Sequence, residues 1–95
     1  MKKTLRIIYL KKAEKFLAKN STTINESDID ELIVTAIKRK LFNVDVNIDL
    51  KALKGSLKGK FRVRKGKVRI IFEIIENEVT IESIIEDIDF RGNIY

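Results

Sequence analysis

The residues best suited to chemistry are arginines and lysines that alternate with apolar residues over 58–72, in the sequence KGKFRVRKGKVRIIF. Successive side chains of a β-strand point to opposite faces of its sheet, so Arg62 and Arg64 share one face of a predicted strand. The same alternation in the next predicted strand places Arg69 on that face too. Three clustered guanidiniums make a candidate phosphate site, because each can bind phosphate oxygens in pairs while it stays charged.

The distribution of charge supports a second interpretation of these arginines. Residues 51–69 contain nine cations and no acid, whereas residues 73–89 contain seven acids and no cation. If the two segments pair in one sheet, opposite charges on neighbouring strands would partly neutralise each other. Glu73 is the one carboxylate predicted on the same strand face as Arg69, and it is either a weak candidate for a general base or half of a cross-strand ion pair. The residue pattern leaves both interpretations open.

Composition limits the chemistry that is available. The 95 residues fit one domain, 1–95, and the net charge of +6 favours a polyanionic partner such as a nucleic acid or an acidic protein. The chain has no cysteine and no histidine, which excludes the usual structural zinc sites, thiol catalysis, Ser-His-Asp chemistry and ribonucleases built on a histidine pair. Any catalysis therefore has to use Lys, Arg, Tyr, Asp or Glu. We expect no metal and no cofactor.

The N-terminal sequence MKKTLRIIYLKKAEKF begins with cations, but its apolar patch is only a few residues long before further lysines follow. Such a patch is too short for the apolar region of a signal peptide or for a membrane-spanning helix. We therefore expect a cytoplasmic protein without a membrane partner.

Hydrophobic periodicity predicts a strand over 4–10 and a short helix over 10–19. A second helix is predicted to begin at Ser27 as its N-cap, with acids in the first turn and cations in the last. Its apolar residues recur at helical spacing and form one stripe: Ile29, Leu32, Ile33, Ala36 and Ile37.

The second half of the chain reads mainly as strands. Residues 44–50 alternate as a strand would, but the glycines and lysines that follow indicate a loop, so an extended segment and then a turn are predicted. Strands over 61–65, 68–75 and 79–88, separated by short turns, predict a three-stranded antiparallel meander.

Two sequence stretches carry a resemblance to a known family. LKGSLKGKFRVRKGKVRIIFEI, followed by IIEDIDFRGNIY, resembles the RelE/ParE toxin superfamily. The shared features are a Leu-Lys-Gly turn before an aromatic-basic-aliphatic-basic strand, a Gly-x-x-Arg strand that ends in an aromatic residue, and an arginine four residues before a terminal tyrosine. The similarity is clearest over 50–95, and the order of the preceding strand and helices also agrees with the family.

The resemblance implies an α+β fold in which an N-terminal strand and a two-helix hairpin pack on a curved antiparallel sheet. It also implies the toxin of a type II toxin-antitoxin system. RelE-like members are ribosome-dependent endoribonucleases that cleave mRNA by attack of the 2′-hydroxyl on the adjacent phosphate, without a metal. The alternatives are a ParE-like inhibitor of DNA gyrase and a non-toxic module that only binds an antitoxin.

The implied partners are a cognate acidic antitoxin, the ribosome and mRNA. An acidic, amphipathic segment that wraps the chain would suit a basic groove with an apolar border. By the same resemblance, the antitoxin supplies any DNA-binding part of the complex, so direct DNA binding by this chain alone is not expected.

The resemblance assigns roles to individual positions. Cations would stabilise the pentavalent phosphorane, and a tyrosine would stack on a substrate base. The catalytic positions that it implies are Arg62, Arg64, Arg69, Arg91 and Tyr95. Some family members carry lysines at the first two positions and use one as general base, but an arginine stays protonated at any ordinary pH, so the base is left unnamed. The ring of Tyr95 is either a stacking platform or part of a loosely packed end. Lysines around the arginines are predicted to form a solvated rim that attracts RNA: Lys54, Lys58, Lys60, Lys65 and Lys67.

Overall fold

The computed structural model describes residues 3–77 and 79–90, which form two helices and five strands. The elements follow one another as β1 (Thr4–Tyr9), α1 (Lys11–Lys19), α2 (Glu26–Phe42), β2 (Asp49–Ala52), β3 (Lys60–Lys65), β4 (Val68–Glu76) and β5 (Thr80–Phe90). A single 3-10 turn, Gly55–Leu57, lies between β2 and β3. Neither helix in this part of the chain has the length and apolar character needed to cross a membrane.

All five strands form one sheet in the order β1-β5-β4-β3-β2. The run from β2 to β5 is antiparallel throughout, which confirms the predicted meander and extends it by one strand. β1 lies parallel to β5, so the sheet is mixed. A parallel pair needs a long connection between its strands, and here nearly the whole chain supplies it. The predicted α+β class is confirmed.

The N-cap of the second helix lies two residues before the predicted one. Asn25 is the N-cap: its side-chain oxygen accepts a hydrogen bond from Asp28 N at 2.9 Å, and Asp28 Oδ2 accepts one from Asn25 N at 3.2 Å. This reciprocal pair is a capping box, which satisfies two backbone donors at once. Ser27 lies inside the first turn, so the prediction that it caps the helix was wrong. The helix ends at Phe42, and the C-cap residue Asn43 is in the left-handed conformation with φ 53°.

The core lies between the helices and one face of the sheet, here called the inner face. The whole predicted stripe of α2 is buried there, which confirms that prediction. Ala13 of α1 is also buried, and the Phe16 ring lies 5.0 Å from the ring of Phe90 at the end of β5. The buried inner-face residues of the sheet are Val63, Ile70, Phe72, Ile81, Ser83, Ile85 and Ile88.

The segment between α2 and β2 is less regular than its alternating sequence predicts. Residues 43–48 form no strand, and β2 starts only at Asp49, where pairing with β3 begins. Arg39 Nη1 donates to the carbonyl oxygens of Val46 and Ile48 at 3.0 and 3.3 Å. These carbonyl groups are therefore satisfied by a side chain instead of a neighbouring strand.

Candidate functional site

Strand register brings three arginines together on the face of the sheet opposite the helices, here called the outer face. Arg64 of β3 lies directly across from Arg69 of β4, while Arg62 lies across from Ile71. The intervening residues Val63 and Ile70 pair with each other and are fully buried on the inner face. The shared face predicted for these arginines is therefore present, and the three are called the arginine cluster below.

The β3–β4 connection keeps this register tight. Only Gly66 and Lys67 separate the last residue pair, Lys65 and Val68. Gly66 has φ 59°, the positive value that two-residue hairpins require at their first position and that glycine adopts without strain. A short rigid turn thus fixes Arg64 beside Arg69.

One carboxylate binds two members of the arginine cluster. Arg62 Nη2 donates to Asp49 Oδ1 at 3.0 Å, and Arg64 Nε donates to Asp49 Oδ2 at 2.8 Å. Desolvation pulls the pKa of Asp49 upward, but the hydrogen bonds and charges of Arg64 and Arg62 outweigh it, so this pKa lies below its ordinary value. Asp49 is consequently charged at neutral pH and bridges the two guanidiniums from the edge strand β2.

Arg69 is bound by a different acid. Asp89 lies directly across from it on β5, and the guanidinium forms a fork with the carboxylate through Nε at 3.0 Å and Nη2 at 2.7 Å. Such paired hydrogen bonds define both the distance and the orientation of the two groups. All three arginines therefore contact carboxylates, but only Arg69 meets an acid of the segment 73–89, so the predicted neutralisation between the two segments holds for Arg69 and not for Arg62 or Arg64.

Arg62 is the most enclosed of the three arginines. Its side chain is 17% exposed, and its Nε atom is buried without a hydrogen-bond partner in the part of the chain that the structure describes. A buried donor without a partner is energetically unfavourable. Burial of Nε therefore leaves the Nη groups as the part of Arg62 that meets Asp49.

Glu73 lies directly across from Lys60, but Lys60 forms its ion pair with a different acid. Lys60 Nζ contacts Glu86 Oε1 at 2.5 Å, reaching from β3 across β4 to β5. A bulge explains this reach: Ile71 pairs with Asp87 and Phe72 with Ile85, so Glu86 is an extra residue in β5.

The predicted lysine rim is divided between the two ends of β3. Lys54 and Lys58 are exposed in the β2–β3 connection, whereas Lys65 and Lys67 are exposed at the β3–β4 turn. Lys60 is half-buried and already paired with Glu86. The lysines thus flank the arginine cluster on both sides and do not form one continuous patch.

Two of the predicted catalytic positions, Arg91 and Tyr95, lie outside the described residues. Their assigned roles stay predictions.

Sequence reasoning missed Asp49 as a partner of the cluster and did not single out Asp89. For Asp89 a signal existed, since the acidic composition of 73–89 indicated charge pairing across the sheet. For Asp49 there was none, because it precedes the basic segment and meets the arginines only through the register of β2 on β3.

A groove of about 410 Å³ borders the cluster on the helix side of the sheet. It lies between α2 and the ends of β2 and β3, and both Asp49 and Arg64 contribute to its wall. Polar residues on the remaining wall include Thr23, Thr35 and Asn47.

Neither models of known protein families nor the sequences of curated proteins match this chain. Solved structures do match. The YoeB/ParE toxin from Agrobacterium tumefaciens superposes with a TM-score of 0.64 at 14% identity, over 90% of this chain and 98% of that one. YafQ from Escherichia coli gives a TM-score of 0.64 at 11% identity, over 97% of this chain and 99% of its own.

A third match is the toxin-antitoxin complex RelBE2 from Mycobacterium tuberculosis, with a TM-score of 0.58 at 23% identity, over 96% of this chain and 100% of that chain. The shared architecture spans almost the full length of every chain compared. This chain has the fold of the RelE-like toxins.

Proposed function

We propose that this protein is the toxin of a type II toxin-antitoxin system and that it acts as a ribosome-dependent mRNA endoribonuclease. The observation that carries the proposal is the arginine cluster, Arg62, Arg64 and Arg69, held in register on the outer face of a fold shared with known toxins. The net charge of +6 is consistent with a polyanionic substrate.

The proposed reaction is an internal displacement at phosphorus. The RNA 2′-hydroxyl loses its proton to water and its oxygen forms a bond to the adjacent phosphorus. The bond from phosphorus to the 5′-oxygen breaks and that oxygen takes up a proton from water, which leaves a 2′,3′-cyclic phosphate and a 5′-hydroxyl. Negative charge on the phosphoryl oxygens increases in the pentavalent transition state, so fixed guanidiniums beside it lower the barrier. Arg62, Arg64 and Arg69 supply such groups and remain protonated throughout.

The proposal extends to the residues assigned by resemblance. Arg91 would add a further cation to the phosphate, and Tyr95 would stack on a base of the RNA. The exposed lysines at both ends of β3 would attract the RNA backbone and the ribosome through long-range charge.

The proposed partner in the inactive state is an acidic antitoxin. Support comes from the RelBE2 match, which is itself a toxin-antitoxin complex. The basic cluster would attract an acidic segment, and exposed apolar residues elsewhere on the surface, such as Leu57 and Phe42, would suit the apolar side of an amphipathic one.

The test is controlled expression in a bacterial host, followed by mapping of mRNA 5′ ends. Wild type is compared with Arg69→Ala and with a matched control, Arg6→Ala. Arg6 also lies on the outer face and also pairs with a β5 acid, Glu82 at 3.3 Å, but it belongs to β1 at the far edge of the sheet. We expect codon-phased cuts with wild type and Arg6→Ala and none with Arg69→Ala. A folded Arg69→Ala that still cuts mRNA would refute the assignment.

The same experiment separates the alternatives. Growth arrest with intact transcripts and DNA damage would indicate a gyrase inhibitor. Absence of arrest would indicate a module that only binds an antitoxin, and the structural observation in favour of this module is that Asp49 and Asp89 contact every arginine of the cluster.

A further inference from the structure

The carboxylate of Asp49 occupies the position that a phosphate group would need at the arginine cluster. Its two oxygens each accept one hydrogen bond, from Arg62 Nη2 and from Arg64 Nε. A phosphodiester also presents two non-bridging oxygens, and guanidinium groups bind carboxylates and phosphates through the same donor geometry. Asp49 and a phosphate therefore compete for the same donors.

The surroundings of Asp49 make it displaceable. It is the first residue of β2, a four-residue strand at the edge of the sheet, and the six residues before it form no regular structure. Its side chain is 44% exposed, so solvent already reaches the carboxylate and the side chain can turn outward. An exposed ion pair is easily exchanged for another because water competes for both partners.

The arginines, by contrast, are held in place. Arg62 and Arg64 belong to β3, which pairs on both sides, with β2 and with β4. The side chain of Arg62 is 17% exposed and that of Arg64 is 29% exposed. The backbone positions of both arginines therefore do not depend on the Asp49 side chain, and their guanidiniums remain on the outer face when Asp49 turns away.

We propose that Asp49 is a built-in competitor that closes the Arg62–Arg64 site in the free protein and that a phosphate of single-stranded RNA displaces it. This inference rests on the proposed function for the identity of the anion. Asp49 thereby lowers the affinity for isolated anions, so a productive complex forms only where other contacts along the RNA compensate for its displacement. Asp49 thus affects only the affinity for RNA and takes no part in making or breaking covalent bonds.

The test uses Asp49→Asn, which keeps the size of the side chain and removes its charge. Asp45→Asn is the matched control: it makes the same change in net charge four residues earlier, where the aspartate is exposed and makes no ion pair within residues 3–77 and 79–90. Binding of a short, labelled single-stranded RNA without ribosomes is measured by fluorescence anisotropy at one fixed ionic strength. We expect Asp49→Asn to bind about fivefold more tightly than Asp45→Asn, the size expected when a surface ion pair no longer has to break.

A second readout resolves the site itself. Inorganic phosphate is titrated into each variant, and the NMR signal of the Arg64 Nε–Hε group is followed. In Asp49→Asn this signal should shift at a lower phosphate concentration than in wild type, whereas Asp45→Asn should follow wild type. If Asp49→Asn does not fold, Asp49→Ser is measured in its place.

Equal affinity of Asp49→Asn and Asp45→Asn for RNA would overturn the inference, because only net charge would then matter. Weaker binding by Asp49→Asn would overturn it as well, since Asp49 would then support the site. Both measurements are independent of cleavage. A wild-type chain that leaves mRNA intact in cells therefore refutes the proposed function without deciding this inference.

Discussion

The two faces of β3 and β4 differ sharply in burial and in charge. On the inner face Val63 and Ile70 are fully buried against the helices, while their chain neighbours Arg64 and Arg69 bind acids on the outer face. Burial of a large aliphatic side chain contributes about 1.5–3 kcal/mol to folding, whereas an exposed ion pair contributes about 0–1 kcal/mol. Stability is thus concentrated on one face, and the opposite face can carry charge for another purpose.

The largest loss of stability should follow from removing a large side chain from the inner face. Phe72 is fully buried, and its ring lies 5.7 Å from the ring of Phe61. Phe72→Ala should lower the free energy of unfolding by about 3–5 kcal/mol, since it removes apolar contacts and leaves a cavity. Urea denaturation measures this loss, with Phe72→Leu as a control that should cost clearly less. If Phe72→Ala lost less stability than the outer-face variants Arg69→Ala and Arg6→Ala, stability would not be concentrated on the inner face.

A smaller loss of stability is expected when the hydroxyl group of Tyr9, on the inner face of β1, is removed. Tyr9 Oη donates to Asp30 Oδ1 of α2 at 2.6 Å, and Tyr9→Phe should cost about 1.5–3 kcal/mol at neutral pH because a hydrogen bond to a charged group is lost. Desolvation, followed by the hydrogen bond and charge of Asp30, raises the pKa of Tyr9 above its usual 10.0.

The sign of the pH dependence follows from that shift. The unfolded chain loses its Tyr9 proton near pH 10, while the folded chain retains it, so the Tyr9 contribution is complete below pH 10 and declines above it. The difference in unfolding free energy between wild type and Tyr9→Phe should narrow in urea titrations above pH 10. A difference that stays constant or widens there would contradict this assignment.

A substitution at Ser83, also on the inner face, should increase stability. Its hydroxyl oxygen is buried and has no hydrogen-bond partner among residues 3–77 and 79–90. Ser83→Ala should raise the free energy of unfolding by about 1 kcal/mol, because burial of an unpaired hydroxyl is unfavourable. Thermal and urea denaturation measure the gain, and a loss of stability would indicate that the hydroxyl has a partner.

The smallest changes in stability should come from the outer face. Arg69→Ala and Arg6→Ala each remove one exposed or half-exposed ion pair, so each should change the free energy of unfolding by less than about 1 kcal/mol. Only the first should abolish mRNA cleavage. Loss of cleavage together with a large loss of stability in Arg69→Ala would remove the distinction between the two faces.

Features set by local pattern could be predicted from the sequence. The α2 stripe and the three-stranded meander rest on periodicities that each segment carries by itself, and the structure confirms both. The N-cap was misplaced because both Asn25 and Ser27 are good capping residues. The capping box that decides between them uses Asp28 where glutamate or glutamine is usual.

Features set by pairing between distant segments could not be predicted in the same way. Alternation over 44–50 indicated a strand from Val44, but a strand exists only where a neighbour pairs with it, and β3 begins to pair with the chain at Asp49. The arginine cluster itself followed from alternation along β3 and β4. Its carboxylate partners depend on register with β2 and β5, which no single segment encodes.

The parallel pairing of β1 with β5 also has a consequence for synthesis of the chain. Arg6 and Glu82, which bind each other across these strands, are 76 residues apart in sequence. At translation rates of about 5–20 residues per second, β1 waits roughly 4–15 seconds for its partner strand to be made. The same late segment, β5, contains Asp89 and is the second strand that pairs with β4. A nascent chain therefore cannot assemble either the closed core or the complete charged face, and any activity of the fold begins only when its last strand is available.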